Sequence, residues 1–299
     1  MSGSKLAQEL RGALPALKLT EHEPMRAHCS FRIGGPAELF AEPGSEAELI
    51  ALLRLLREKG APYTVIGNGT NLLVRDAGVP GVVIRIGEGL SALRREGDTV
   101  LAGAGVPLSR LAVFAREQSL AGLEFAHGIP GSLGGAVMMN AGAYGGEMKD
   151  VVRRVRYLDA DLAVRETEEP RFSYRSSRFE GSGELILGAA VALRPDDRDA
   201  IHGRMMELWA RRSASQPLEL PSAGSTFKRP AQGYAAAMID GAGLKGLRVG
   251  GAQVSEKHAG FVVNTSGATC ADVLALMEQI RAAVLAKYGV LLEPEVRLL

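Results

Sequence analysis

Cysteine is scarce: Cys29 and Cys270 are the only two in 299 residues, and their separation suits neither a disulfide framework nor a zinc site. A reducing compartment, the cytoplasm, is therefore expected. Net charge is also lacking. Lys and Arg total 35 against 34 Asp and Glu, a balance of +1, so no field draws the chain to nucleic acid or to an anionic membrane. There is no apolar run of about 18 residues, as a membrane span requires. The N-terminal stretch interrupts its apolar residues with Lys5, Glu9 and Arg11, so no signal-type apolar segment is expected there. The five histidines, His22, His28, His127, His202 and His258, show no metal spacing, and no metal site is expected. A GxxxxGK[ST] loop is absent, which leaves a P-loop kinase or ATPase unsupported.

What is abundant is glycine, 37 residues. A chain of this length exceeds what one core usually serves, so two or three packed units are expected. Ser45 and Glu48 form a capping-box pattern ahead of a helical apolar stripe, Leu49, Ile50, Leu52, Leu53 and Leu56, predicting a helix over 45–59 that stops at Gly60. YTVIG, GVVIRI and TVLAGAG read as strands, VRRVRYLDADLAVRE as a hairpin and GELILGAAVAL as a returning strand. A helix through Ile201, Met205 and Leu208 follows. A closing helix over 271–288 ends at Gly289, and the final VLLEPEVRLL reads as a strand with Leu292, Val296 and Leu298 on one face. The pattern is α+β.

The segment from Gly122 to Gly146, GLEFAHGIPGSLGGAVMMNAGAYGG, carries eight glycines among small or uncharged residues. Glycine lets backbone amides approach a ligand closely and permits positive φ, as a chain that cradles a diphosphate needs. IGNGTNLLV, from Ile66, is a second such loop, with Asn68, Thr70 and Asn71 as donors. Two cradles suggest a long ligand with a pyrophosphate. A plain tight turn remains an equal reading of the shorter loop. GxGxxG patterns begin at Gly67 and Gly103 but reach Leu72 and Leu108. DGAGLKG completes one at Gly241, Gly243 and Gly246, yet lies between a helical AAAMI and a non-helical LRVGGAQV, so it reads as a turn.

FRIGGPA, IGNGTNLLV, PGSLGGAV with MNAGAYGGE, SYRSS, AGSTFKRP and LEPEVR occur in this order. Together they resemble the UDP-N-acetylenolpyruvoylglucosamine reductase (MurB) family over about residues 29–298. The resemblance implies an α+β fold with a two-part FAD-binding region of the vanillyl-alcohol-oxidase type followed by an α+β substrate domain. The boundaries drawn from the pattern are an N-terminal helical segment 1–26, an FAD-binding region 27–194 in two parts (about 27–90 and 91–194), and a substrate domain 195–299. It also implies that NADPH reduces non-covalent FAD, and that the flavin reduces the enolpyruvyl ether of UDP-N-acetylglucosamine to UDP-N-acetylmuramate, a step of peptidoglycan synthesis serving cell shape and division. A monomer is expected.

Matched by motif, Arg175 of SYRSS, Ser225 of AGSTF and Glu295 of LEPEVR resemble the family's catalytic trio. Arg175 suits the substrate carboxylate, Ser225 the proton donor to the carbanionic carbon, and Glu295 a group that holds or protonates the enolic carboxylate. The cofactor is expected on Arg32, on Gly67, Asn68, Gly69, Thr70 and Asn71, on Gly131, Ser132, Gly134 and Gly135, and on Asn140, Ala141, Gly142 and Ala143. Lys228, Arg229 and Lys245 are candidates for the diphosphate, with Tyr174 and His258 as further substrate-side candidates. By residues alone, the favoured readings are Arg175 as part of a solvated loop and Glu295, with Arg297, as the wet face of an edge strand, while a turn serine is an alternative for Ser225. The span from Arg175 to Ser225 is compact and resembles the shorter class of the family, which lacks a tyrosine-bearing loop. Cys29 stands where the family commonly has threonine. The rivals are an oxidase on the same FAD scaffold and a nucleotide-binding module without catalysis.

Overall fold

Ser45 caps the first long helix, Glu46–Glu58: its side chain accepts from the Glu48 amide at 3.2 Å, a contact worth about 1 kcal/mol. Glu48 returns its carboxylate to the Gly44 amide at 2.7 Å rather than to Ser45, one residue earlier than the capping box anticipates. Leu49, Leu52, Leu53 and Leu56 are buried, and Gly60 ends the helix in the left-handed region at φ 59°. The computed structural model describes residues 3–299; residues 1 and 2 of the expected helical segment 1–26 lie outside the described residues. A helix Gly3–Ala13 fills part of that segment.

The chain divides by contacts into two compact units, one of residues up to 21, 39–68 and 81–212, the other of residues 22–38, 69–80 and 213–299. Contacts thus place the later boundary after Arg212, where sequence pattern draws it at Pro195, and group residues 22–38 and 69–80 with the C-terminal segment.

In the first unit an antiparallel five-stranded sheet runs in the order Val164–Thr167, Val152–Leu158, Leu185–Ala192, Thr99–Gly103, Leu93–Glu96. It contains the hairpin and returning strand read from sequence. Residues 18–21, 39–42, 81–85 and 63–66 of this unit lie in a four-stranded sheet, the last two segments pairing in parallel from Tyr63–Val82 to Ile66–Arg85. Leu10, Leu52, Ile84, Val100, Leu111, Val137, Val155, Val191 and Met205 share one buried apolar cluster, each large side chain contributing about 1.5–3 kcal/mol by leaving water. The helix Arg198–Ser215 contributes Ile201 and Met205 to it.

In the second unit, strands Ser222–Ser225, Phe261–Asn264, Ala252–Val254 and Arg248–Val249 form an antiparallel sheet. The helix Cys270–Tyr288 buries Val273, Leu276, Met277, Ile280 and Val284. Thr269 and Asp272 form its capping box, and Gly289 at φ 66° ends it. Asp76 adds a second acceptor at its start, from the amides of Cys270 (2.8 Å) and Ala271 (3.1 Å). The C-terminal strand is shorter than expected. Only Arg297–Leu298 form a ladder, in parallel with Leu72–Leu73; upstream, Pro294 makes an isolated antiparallel bridge with Phe227, closed by Lys228 N to Glu293 O (2.8 Å) and Glu295 N to Thr226 O (2.9 Å), bonds that do not need its missing amide. Leu292 and Val296 are buried as their alternation requires, whereas Leu298 is exposed. Among the described residues no helix is long and apolar enough to cross a membrane, and no cluster of ligands could hold a metal ion.

Candidate functional site

Around the loop that follows Tyr63–Ile66, several carbonyls are taken by neighbours. Ile66 accepts from Ile86 (2.8 Å), Gly69 from Ser30 (3.2 Å) and Asn71 from Arg297 (2.8 Å). Its amides, from Gly67 to Asn71, find no protein acceptor among the described residues. Loop backbone with unspent amides is a donor array for an anion. In the first unit a β-carbon on Gly67 would lie 2.3 Å from Ser132 Oγ, so the two glycine loops touch with no room for a side chain between them. The Ser132 loop is spent on one side: Leu133 and Gly134 donate to Val106 and Ala104, both at 2.8 Å. The amides of Gly131, Ser132 and Gly135 find no acceptor among the described residues. Side-chain-poor backbone with amides to spare fits a dinucleotide pyrophosphate, and Gly67, Asn68, Gly131, Ser132 and Gly135 are the residues of this unit that would hold one.

Gly142–Ala143 pairs with Gly146–Glu147 in a tight hairpin, with Tyr144 (φ 54°) and Gly145 (φ 88°) at its tip. Arg175 lies against it, its Nη2 donating to Gly142 O at 3.4 Å and its guanidinium over Tyr174, 5.3 Å from the ring centre. SYRSS forms a tight turn. Ser173 and Ser176 exchange main-chain bonds at 3.0 and 3.3 Å, leaving Tyr174 and Arg175 at the tip, while the Ser177 hydroxyl donates to Met138 O at 2.9 Å. Arg175 is itself in the left-handed region, φ 54°, which non-glycine residues adopt rarely. Glu147, a residue the motifs did not single out, stands beside it. Lys149 at 2.8 Å, opposed by partial burial and reinforced by Asn140 and Arg175, holds the Glu147 carboxyl below its ordinary range. The signal for it was a carboxylate directly after a glycine pair in an otherwise uncharged stretch.

In the second unit Ser225 pairs with Phe261 at the end of its strand and is exposed. The next residue, buried Thr226, accepts from the Glu295 amide at 2.9 Å, and Phe227 bridges to Pro294. Ser225 and Glu295, 70 positions apart in sequence, thus lie on adjoining segments. Thr226 is the connecting residue that the motifs concealed. The Asn71 side chain, expected on the cofactor, donates to Glu295 O at 3.0 Å. Arg32 sits in a left-handed turn of the same unit, φ 55°. Lys228 pairs with Glu293, Arg229 stacks on Tyr234 at 3.9 Å, and Lys245 pairs with Asp240 at 2.8 Å. His258 accepts from the Gly260 amide at 3.2 Å and packs edge-on against Phe261, its pKa pushed down by burial and by the charge of Lys245. Arg175 belongs to the first unit, Ser225 and Glu295 to the second.

Comparison with known proteins gives this geometry a context. A family described as "FAD binding domain" matches residues 37–168, and one described as "UDP-N-acetylenolpyruvoylglucosamine reductase, C-terminal domain" matches residues 216–299. The UDP-N-acetylenolpyruvoylglucosamine reductase of Caldanaerobacter subterraneus subsp. tengcongensis is 48% identical over 298 residues, covering 98% of this chain and 97% of the relative. That of Heliobacterium modesticaldum is 50% identical over 282 residues, covering 93% and 90%. The crystal structure of UDP-N-acetylenolpyruvylglucosamine reductase (MurB) from Thermus caldophilus superposes with a TM-score of 0.80 at 36% identity, covering 94% of this chain and 98% of that one. With relatives this similar over nearly its whole length, the chain belongs to the UDP-N-acetylenolpyruvoylglucosamine reductase family.

Proposed function

We propose that the protein reduces UDP-N-acetylglucosamine enolpyruvate to UDP-N-acetylmuramate, with NADPH as hydride donor and non-covalent FAD as carrier, in the synthesis of peptidoglycan precursors. The observation that carries the assignment to residues is the clasp of Thr226 on Glu295, which brings an exposed serine and a carboxyl onto adjoining segments. FAD, when bound, supplies hydride transfer to the vinyl carbon of the substrate. The protein then has two tasks: to stabilise the negative charge that develops beside the substrate carboxylate, and to deliver one proton to the neighbouring carbon. Arg175 takes the first, since its planar fork matches a carboxylate; one well-placed donor in a dry site lowers such a barrier by roughly 3–4 kcal/mol. Ser225 takes the second, because an enolate is basic enough to accept from an alcohol at close range. Glu295 holds or protonates the enolic carboxylate.

Lys228, Arg229 and Lys245 are assigned to the diphosphate. The carboxylates now paired with the two lysines, Glu293 and Asp240, are exposed, and surface pairs of this kind give way to a better anion at little cost. Tyr174 and His258 complete the substrate side. Two free, buried cysteines accord with work in the cytoplasm, where we place the protein as a monomer serving wall growth, cell shape and division. The test is direct: purified protein is yellow, and absorbance at 340 nm from NADPH falls only when UDP-N-acetylglucosamine enolpyruvate is added. Fast NADPH loss driven by oxygen alone, or a colourless protein, would overturn the reading.

A further inference from the structure

Asn140 was expected to bind the cofactor, yet its side chain is fully occupied elsewhere. It is 1% exposed, and its two amide hydrogens point to Glu147 Oε2 (2.9 Å) and Ser173 O (3.0 Å), while its oxygen accepts from the Lys149 amide (3.0 Å). No side-chain hydrogen is left for a ligand. Asparagine is also one of the few side chains that tolerates the left-handed backbone found here, φ 42°.

The bond to Ser173 O falls on the residue that closes the turn carrying Arg175. That turn is two residues long, and arginine disfavours its left-handed position, φ 54°, so the turn needs support from outside itself. Asn140 supplies it, and through Glu147 and Lys149 it ties the same point to the hairpin whose Gly142 carbonyl accepts from Arg175. We infer that Asn140 is a positioning residue: its buried carboxamide clamps the Ser173–Ser176 turn to the Gly142–Glu147 hairpin and thereby aims the Arg175 guanidinium. This rests on the proposed reduction, in which Arg175 meets the substrate carboxylate.

The test uses the full-length flavoprotein. Asn140→Gly keeps the left-handed backbone available and removes only the carboxamide. Flavin content and the rate of flavin reduction by NADPH are expected to stay within about twofold of the parent, and reoxidation by the enolpyruvyl sugar to slow roughly thirtyfold, within the range of coupled neighbours. Adding Arg175→Ala to Asn140→Gly is then expected to slow reoxidation no further than Arg175→Ala alone, which a merely structural role for Asn140 would not produce. Independent, multiplying effects overturn the inference, as does unchanged reoxidation. Loss of flavin from a folded Asn140→Gly protein would instead make Asn140 a cofactor contact. Normal reoxidation by Arg175→Ala alone sinks the catalytic assignment, and the inference with it. If Asn140→Gly does not fold, Asn140→Asp, equally tolerant of the backbone, carries the same measurements; failure of both to fold assigns Asn140 to folding and overturns the inference.

Discussion

Asn71 donates its side-chain amide to the main-chain oxygen of Glu295 at 3.0 Å, while the Glu295 amide is held by Thr226 O at 2.9 Å. Both peptide groups of a residue assigned to catalysis are thus fixed by neighbours in the same unit, on a segment whose own ladder is short. Removing the carboxamide strands a partly buried carbonyl. Asn71→Ala is expected to cost about 1–2 kcal/mol in urea unfolding and to slow reoxidation of the flavin by substrate. An unchanged midpoint would show that the contact holds nothing.

Ser225→Ala separates the two halves of the reaction. Its hydroxyl is exposed at a strand end and supports no core packing, so the variant is expected to fold and bind flavin as the parent does. Flavin reduction by NADPH should persist, while reoxidation by the enolpyruvyl sugar should fall by about 10²-fold or more, the usual weight of a positioned proton donor. Stopped-flow absorbance of the flavin reads both. Normal turnover would remove Ser225 from the proton-donor role.

Much of this architecture was legible because local signals and tertiary demands agree. Ser45, Gly60 and Gly289 mark helix ends by chemistry confined to a few neighbouring residues. The glycine loops were legible as bare, closely approaching backbone, which the 2.3 Å between an added Gly67 β-carbon and Ser132 Oγ requires. Asn71 and Asn140 were read as ligand donors because an asparagine in a glycine loop has amide hydrogens to give; whether they go to a ligand or to Glu295 O and Ser173 O depends on residues 224 and 33 positions away. The C-terminal strand was overread because alternation in VLLEPEVRLL speaks of faces and not of partners: the segment divides its pairing between an isolated bridge of Pro294 with Phe227 and a short ladder of Arg297–Leu298 with Leu72–Leu73. The grouping of residues 22–38 and 69–80 with the C-terminal unit depends on contacts such as Asp76 with Cys270, which no local pattern announces.

His258 predicts a direction for acid sensitivity. Burial, then the charge of Lys245, push its pKa below the ordinary 6.5, so the folded state binds its proton less readily than the unfolded chain. Stability from this group is fully present above about pH 6.5 and is lost as pH falls toward the lower folded value. His127 is lowered too, by burial first, and contributes with the same sign. Thermal melts from pH 8 to 5 are expected to show His258→Gln losing less stability on acidification than the parent. Parallel curves would show that the His258 proton is not linked to folding.

Gly67→Ala tests the contact between the two glycine loops without touching the proposed proton chemistry. Gly67 does not need positive φ, so alanine meets no backbone strain there, and the only near atom is Ser132 Oγ, 2.3 Å from the added carbon. Ser132 is 3% exposed, which leaves its hydroxyl little room to turn aside. Overpacking of this kind costs about 1–3 kcal/mol, and here the displaced backbone is the part proposed to hold the pyrophosphate. Gly67→Ala is therefore expected to purify with less flavin and a lower melting temperature. Ser132→Ala added to it deletes the clashing oxygen and leaves the two β-carbons 3.6 Å apart, an ordinary contact. The double variant should recover flavin content and melting temperature above Gly67→Ala alone, both read from the 450 nm absorbance of the purified protein and its thermal melt. If Ser132→Ala deepens the defect, the serine hydroxyl itself is what the loop needs, and the clash is not the cause.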